Sequence, residues 1–303
     1  MACCTDLSAK KPLYRGRFAP SPTGPLHIGS LYTAVASFLQ ARSQQGQWLL
    51  RIDDLDPFRC KTQYSQQIIN TLERYSLHWD EPIVYQSERH HSYHAALQTL
   101  QQQGRLYPCQ CSRKDLANRQ PPKAVYDRHC LIQQPSANQT CALRLRLNAE
   151  QISFKDRVQG LQRQDLAPQV GDFVIFRKDQ VYAYHLAAII DDDEQGVSEV
   201  LRGSDLLDSS FRQILLQQLL SIETPLYAHI PTINDAYGAK LSKQTFAADV
   251  ALSPVRETLI QVMGYLNLQP PKELLDLEPS EILNWAIPRW SIDKIKPETS
   301  ILF

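Results

Sequence analysis

Apolar positions along the chain recur with two periods. Tyr14–Ala19 and Gln47–Ile52 are short, mostly apolar runs, the first stopped by Pro20 and Pro22, the second ending at Asp53, Asp54 and Asp56. Runs of this length bounded by breakers predict buried strands. Between them Leu31, Val35, Phe38 and Leu39 recur at helical spacing from Gly29 to Arg42. Ile68, Ile69 and Leu72 mark a second helix, and Tyr93, Leu97 and Leu100 a third, ended by Gly104. Strand, helix, strand, helix predicts a parallel α/β sheet with ligands at the carboxyl ends of its strands. From Arg105 to about Pro135 the periodicity breaks down and Cys, Pro and basic residues gather, as in an inserted module. Pattern returns with expected strands over Ala142–Leu147, Phe173–Phe176 and Val181–Tyr184, and helical character over Leu186–Ile190 and Leu206–Leu220. His229–Ile233 reads as a last core strand. A helix over Val255–Leu266, a break at Pro270–Pro271 and a weaker helix near Glu281–Ala286 follow.

Composition narrows the classes. With 303 residues, 43% of them hydrophobic and spread along the chain, a folded globular protein is expected rather than a disordered one. No stretch approaches a membrane span, and the polar segment Met1–Pro12 lacks an apolar signal core. Seven cysteines, an odd number without regular spacing, argue against a secreted disulfide framework, so the expected location is cytoplasmic. Thirty-two basic residues balance thirty-two acidic ones. A protein gripping a large tract of RNA is usually more basic, so any nucleic-acid footprint should be limited.

Two segments roughly two hundred residues apart carry candidate phosphate chemistry. In Pro22-Thr23-Gly24-Pro25-Leu26-His27-Ile28-Gly29-Ser30, the glycines let backbone approach a nucleotide and His27 can donate to phosphate oxygens. A helix starting near Ile28 would add its N-terminal N–H groups and dipole. In Lys240-Leu241-Ser242-Lys243-Gln244, two lysines flank a small step, as suits a loop closing over a triphosphate. Their ammonium groups would offset charge on a departing pyrophosphate. The plainer alternative is a proline-rich turn and an exposed lysine loop. Within the inserted module, Cys109-Gln110-Cys111 and Tyr126-Asp127-Arg128-His129-Cys130 supply three thiols. Zinc takes four ligands in a tetrahedron and would staple a module that lacks its own core. Coordination chemistry alone favours His129, His90 or His91 as the fourth; three reduced thiols are the alternative.

Five motifs then fall in one order: Arg17-Phe18-Ala19-Pro20-Ser21-Pro22-Thr23-Gly24, Arg51-Ile52-Asp53-Asp54-Leu55-Asp56, Tyr184-His185-Leu186-Ala187, Leu201-Arg202-Gly203-Ser204-Asp205 and the lysine loop. Over roughly residues 14–250 the chain resembles the glutamyl-tRNA synthetases of class I, which carry these motifs in this order. Only about sixty residues follow the lysine loop, too few for the long helical region that reads the anticodon in a full glutamyl-tRNA synthetase. The chain therefore looks like the truncated relatives, the glutamyl-queuosine tRNA(Asp) synthetases.

That resemblance implies a Rossmann-like parallel-sheet nucleotide-binding domain, with residues 13–104 as its first half and 105–135 an inserted zinc-binding module. Residues 136–250 would hold the rest of the insertion and the second half, and 251–303 a short helical extension. It implies activation of L-glutamate by ATP with Mg²⁺, and transfer to queuosine in the anticodon stem-loop of tRNA(Asp). A monomer is the default expectation, and the composition points to no membrane partner. Pro22, Thr23, Gly24, His27, Gly29 and Lys243 would bind ATP, with His27, Lys243 and Lys240 stabilising the transition state. Arg17, Phe18, Ala19, Pro20, Ser21, Tyr184 and Arg202 would line the glutamate site. Asp53, where the family usually has Glu, would face the substrate ammonium. Cys109, Cys111, Tyr126 and Cys130 would hold one structural Zn²⁺. The residue chemistry agrees with an amino-acid site, since guanidinium suits bidentate capture of a carboxylate. For Arg51, Asp54 and Asp56, a structural ion pair or strand-end cap is an equal expectation. Asp191, Asp192 and Asp193 resemble a metal site, but acidic runs at helix ends are usually solvated, and they receive no role. The competing expectations are a compact glutamyl-tRNA synthetase charging the 3′ end, a small-molecule nucleotidyltransferase, and a non-catalytic RNA-binding relative.

Overall fold

The computed structural model describes residues 13–119, 125–135, 140–234 and 249–302. Strand β1 (Arg15–Phe18) leads through the proline-rich turn into α1 (Ile28–Ser43), which returns as β2 (Gln47–Ile52), parallel to β1. Helix α2 (Thr62–Arg74) and β3 (Val84–Tyr85) extend that edge, β3 pairing parallel with β2. Helix α3 (His90–Gln102) ends at Gly104, whose φ of +66° a side chain would resist. An excursion follows, made of β4 (Leu106–Cys109), α4 (Arg113–Arg119), α5 (His129–Ile132), β5 (Ala142–Leu145), β6 (Gln151–Asp156), β7 (Gly160–Asp165), α6 (Leu166–Gln169) and β8 (Phe173–Phe176). In it β4, β5 and β8 form an antiparallel sheet, and β6 and β7 a hairpin. The chain then resumes its parallel course through α7 (Tyr184–Glu194), β9 (Glu199–Gly203), α8 (Leu207–Leu220) and β10 (Leu226–Ile230). The Ser198 N–H donates to the Arg15 carbonyl at 2.9 Å and brings β9 alongside β1.

Side chains of a strand alternate between faces. Phe18, Trp48, Leu50, Ile52, Leu201, Ala228 and Ile230 therefore point one way and pack with α1 and α2, while Val200 and Tyr227 point the other way and pack with α3, α7 and α8. The same parity sends Arg17, Arg51, Arg202 and His229 to the second face. A doubly wound sheet thus keeps one apolar side and one side carrying buried charge.

After β11 (Thr232–Asn234) come α9 (Val255–Tyr265), α10 (Pro279–Ala286) and β12 (Ser300–Leu302), which pairs parallel with β11. Leu259, Val262, Met263, Ile282, Leu283 and Trp290 lie in the same apolar cluster as α1, and Trp290 Nε1 donates to Gln40 Oε1 at 2.7 Å. The C-terminal segment completes the core rather than hanging from it. No helix among the described residues is long and apolar enough to cross a membrane.

Two expectations are corrected. Val181–Tyr184 is not a strand: it makes one bridge, Tyr182 to Phe176, and Tyr184 already opens α7. The strand expected over His229–Ile233 is two strands, β10 and β11, because Pro231 between them cannot donate to a ladder. The β6–β7 hairpin and β9 went unrecognised. The hairpin buries few side chains, and the apolar run of β9 is interrupted by Glu199 and Arg202.

Trp290→Ala should cost about 3–5 kcal/mol. Urea unfolding followed by circular dichroism should still show one cooperative transition; a separately melting tail would mean that the C-terminal segment is not part of this core.

Candidate active site

A cleft of about 410 Å³ opens at the carboxyl ends of β1, β9 and β10, beside the N-terminus of α1. This is where a parallel sheet leaves room for ligands, between strands whose connections run to opposite sides. Of the residues expected in the site, Arg17, Phe18, Ala19, Pro20, Ser21, Thr23, His27, Gly29, Tyr184 and Arg202 line it. His27 is the N-cap of α1, its Nδ1 accepting the Ser30 N–H at 3.3 Å and its Nε2 lying 3.0 Å from Ser30 Oγ. The imidazole therefore stands at the positive end of a 16-residue helix, where a phosphate would be favoured. Gly24 is buried in the turn behind the cleft wall. Pro22 lines a neighbouring hollow with Lys61, whose N–H its carbonyl accepts at 3.0 Å. Lys240 and Lys243 lie outside the described residues.

Arg17 is held from beneath. Its Nε and Nη2 donate to the two carboxylate oxygens of Asp192, at 3.0 and 3.4 Å. Asp192 also accepts from Arg51 Nη1 at 2.6 Å, and Arg51 Nε donates to Asp53 at 2.8 Å. Asp191 receives Arg89 Nε at 2.5 Å, Gln86 Nε2 at 2.7 Å and the Tyr93 hydroxyl at 2.8 Å. Asp191 and Asp192 are thus buried ion-pair partners, against the expectation of a solvated acidic run; the helix turns these two inward and leaves Asp193 exposed. Burial would raise the Asp192 pKa, but Arg17 and Arg51 outweigh it and bring it down to about 2. At Asp53 the balance goes the other way, burial pushing the carboxyl up to about 6 against the pull of Arg51. Asp53 is spent on Arg51 and does not line the cleft. Asp54 caps Ser87, and Asp56 pairs with Arg177 at 2.8 Å, which is the structural alternative for both.

Arg202 is built differently. It is only 4% exposed, yet each of its partners is neutral. Nε donates to His229 Nε2 at 3.0 Å, Nη1 to the Tyr184 hydroxyl at 3.2 Å, and Nη2 to Ser210 Oγ at 2.8 Å and Gln213 Oε1 at 2.7 Å. The Tyr227 ring lies 5.4 Å beneath the guanidinium. Nearby His185 is kept neutral by burial, aided by Arg212 and Arg202, with its pKa near 3. Among the described residues no carboxylate is hydrogen-bonded to Arg202, which leaves a rigid, desolvated cation suited to an anionic ligand. His229, Ser210 and Gln213 had no assigned role. The available signal was a histidine inside the otherwise apolar strand Leu226–Ile230, which the parallel register sets opposite Arg202.

The expected metal ligands come together. The Cys109, Cys111 and Cys130 sulfurs lie within 4.8 Å of one another. The Tyr126 hydroxyl sits 3.4 Å from Cys109 Sγ and 3.6 Å from Cys111 Sγ. Among the described residues no histidine nitrogen joins this group, so His129, His90 and His91 stand apart from it. Arg144 Nε donates to Cys109 Sγ at 3.2 Å with its guanidinium 3.8 Å over the Tyr126 ring, and Arg119 Nη2 donates to Cys111 Sγ at 3.2 Å. Burial raises the Cys109 pKa, but the hydrogen bonds from Tyr126 and Arg144 more than reverse this. Three sulfurs and an oxygen gathered together, with arginines on two of the sulfurs, fit a tetrahedral thiolate-rich metal site.

The helix terminus and the arginines thus meet at the carboxyl edge of a doubly wound sheet, where such folds bind nucleotides. Residues 14–267 match the family described as tRNA synthetases class I (E and Q), catalytic domain. The chain is 49% identical over 286 residues to the glutamyl-Q tRNA(Asp) synthetase of Methylococcus capsulatus, covering 94% of this chain and 93% of that one. With the proteins of the same name from Neisseria meningitidis serogroup A and Chromobacterium violaceum it shares 46% and 44% identity over 93% of its length, covering 97% and 95% of theirs. It belongs to the glutamyl-Q tRNA(Asp) synthetase family. Its fold is that of the glutamate-tRNA synthetase of Elizabethkingia anophelis, with a TM-score of 0.81 at 23% identity over 96% of this chain and 68% of that one. A glutamate tRNA ligase from Elizabethkingia meningosepticum gives a TM-score of 0.77 at 24% identity, with 96% and 67% coverage.

Asp192→Asn should destabilise the protein by about 3–5 kcal/mol near neutral pH, because two buried guanidinium groups lose their counter-charge. Since folding lowers the Asp192 pKa from 3.8 to about 2, its contribution is present above pH 3.8 and lost as the pH falls toward 2. Denaturant titrations at several pH values should therefore show the gap between wild type and variant closing only in that acid window.

Proposed function

We infer that this chain activates L-glutamate with ATP and transfers it to the queuosine base of tRNA(Asp). The observation that carries the reading is Arg202, with no carboxylate hydrogen-bonded to it among the described residues, facing the same cleft as Arg17 on a chain that matches its named relatives over nearly their whole length. In the first step a glutamate α-carboxylate oxygen attacks the α-phosphorus of ATP and the bond to pyrophosphate breaks. Positioning and charge stabilisation do the work, and no protein nucleophile is needed. His27 at the helix terminus meets the phosphates, with Thr23 and Gly29 beside it. Lys243 and Lys240 are proposed to offset the charge that develops on the leaving group. Magnesium bound with the triphosphate adds neutralising charge. Arg202 suits the side-chain carboxylate, which stays ionised through both steps, whereas the α-carboxylate loses its charge on activation. In the second step a hydroxyl of the queuosine cyclopentenediol attacks the activated carbonyl and AMP leaves.

With Asp53 drawn back onto Arg51, the substrate ammonium must find its acceptors from the cleft wall, where Tyr184, Ser21 and Asp205 offer oxygens. The metal that suits Cys109, Cys111, Cys130 and Tyr126 best is zinc, one per chain. It has a structural role, because the reaction calls for no activated water.

The reading is tested by offering labelled glutamate and ATP with two tRNA pools, one containing queuosine and one lacking it. Label should enter only the queuosine-containing tRNA(Asp) and be blocked by prior periodate oxidation of the queuosine diol. Charging of unmodified glutamate tRNA, abolished by oxidising its 3′ end, would overturn it in favour of a compact glutamyl-tRNA synthetase. Elemental analysis should find one zinc per chain. Cys130→Ser should release it and lower the thermal midpoint of the module containing residues 105–135 before that of the sheet; metal-free protein with an unchanged melting profile would contradict the zinc assignment.

A further inference from the structure

His229 is completely buried, with Asp156 on one side of its ring and, on the other, both Arg202 and the Ser210 hydroxyl, whose Oγ lies 3.0 Å from Nε2. Nδ1 lies 2.6 Å from Asp156 Oδ2, and Nε2 lies 3.0 Å from Arg202 Nε. An arginine Nε can only donate, so the facing Nε2 must present a lone pair. The ring's single proton then belongs on Nδ1, pointing at Asp156. Asp156 is itself committed to being an acceptor. Its Oδ1 receives the backbone N–H groups of Val158, Gln159 and His229 at 2.9, 2.8 and 3.1 Å. Burial raises its pKa, but the bond from the His229 ring, with the backbone N–H groups of Gln159 and His229, more than reverses this. Burial likewise lowers the His229 pKa and keeps the ring uncharged, although Asp156 pulls the other way. The tautomer is therefore set from both ends.

Resting on the glutamate reading above, we propose that the Asp156–His229 pair is a positioning and specificity device, which fixes the Arg202 guanidinium in plane while leaving its positive charge for the side-chain carboxylate of the substrate. A carboxylate in place of His229 would satisfy the Arg202 Nε equally well but would neutralise it, and glutamine would then compete with glutamate. An apolar residue would leave a buried N–H without a partner and the guanidinium free to turn. A neutral acceptor avoids both failures, and the carboxylate needed to orient that acceptor is placed one residue further back. This also gives the β6–β7 hairpin a purpose, since Asp156 at the end of β6 reaches the sheet only through that excursion. His229 touches no substrate; it acts through Arg202.

The decisive variant is Asp156→Asn. The amide can keep accepting from the backbone N–H groups through its oxygen, but its NH₂ would face Nδ1 and drive the ring proton to Nε2, against Arg202. Nitrogen-15 NMR of histidine-labelled full-length protein should show His229 as the Nδ1–H tautomer in the wild type and as Nε2–H in the variant. Calorimetric titration with L-glutamate, L-glutamine and ATP should show glutamate binding weakened about tenfold or more in the variant. The preference for glutamate over glutamine should fall, with ATP affinity unchanged. An imidazolium or Nε2–H ring in the wild type would overturn the proposal even if the variant failed to fold, as would wild-type glutamate affinity and preference in a folded Asp156→Asn protein. Failure of the wild type to bind glutamate at all would instead overturn the glutamate reading.

Discussion

Asp192 is the constraint on which the site depends. It sits on α7 and accepts from Arg17 of β1 and Arg51 of β2, so one carboxylate ties a helix to two neighbouring strands from inside the protein. Such a group is costly to bury unless its charge is matched and its oxygens are hydrogen-bonded. Here both conditions hold, and the Asp192 pKa falls to about 2 in spite of burial. The arrangement leaves little choice in where Arg17 can stand. It also explains why the sheet's second face can carry guanidinium groups at all, when its first face is built from Trp48, Leu50 and Ile52.

The two cleft arginines show opposite uses of one chemistry. Arg17 is held by a carboxylate, which gives a firm position and a partly offset charge. Arg202 is held by a histidine, a tyrosine, a serine and a glutamine, which give an equally firm position with the charge intact. A ligand with two carboxylates, one of which loses its charge during the reaction, can make use of both. The pairing of Asp53 with Arg51 follows the same logic: its carboxylate completes the buried lattice instead of the cleft wall.

The sulfur cluster is a third, independent solution to a local shortage. Tyr107, Cys109, Tyr126 and Cys130, with Cys111, Leu116 and Leu131 against them, make an apolar cluster too small to hold a module by packing alone. The bonds from Tyr126 and Arg144 favour the thiolate at Cys109, whereas burial raises the Cys111 pKa in spite of Arg119, and a metal bound between them would stabilise the thiolate at both.

Much of this was legible in the order of residues. The strand–helix alternation of the first hundred positions, the start of α1 at Ile28 and the gathering of three cysteines follow from spacing and residue type, because they are local or carried by short motifs. Tyr126 beside those cysteines, and Arg17 and Arg202 in the cleft, were legible only through the resemblance to glutamyl-tRNA synthetases, since residue chemistry alone pointed to a histidine as the fourth ligand. What the chain order could not display is pairing between elements far apart. Asp191 and Asp192 read as a solvated acidic run until the turn of α7 points them at Arg89, Arg51 and Arg17. Asp156 and His229 are 73 positions apart and become one unit only when the hairpin folds against β10. Sequence determined which side chains were available and what each could donate or accept. The tertiary structure alone decided which charges would be matched and which left open, since burial and the distance between groups, not their identity, set that energy.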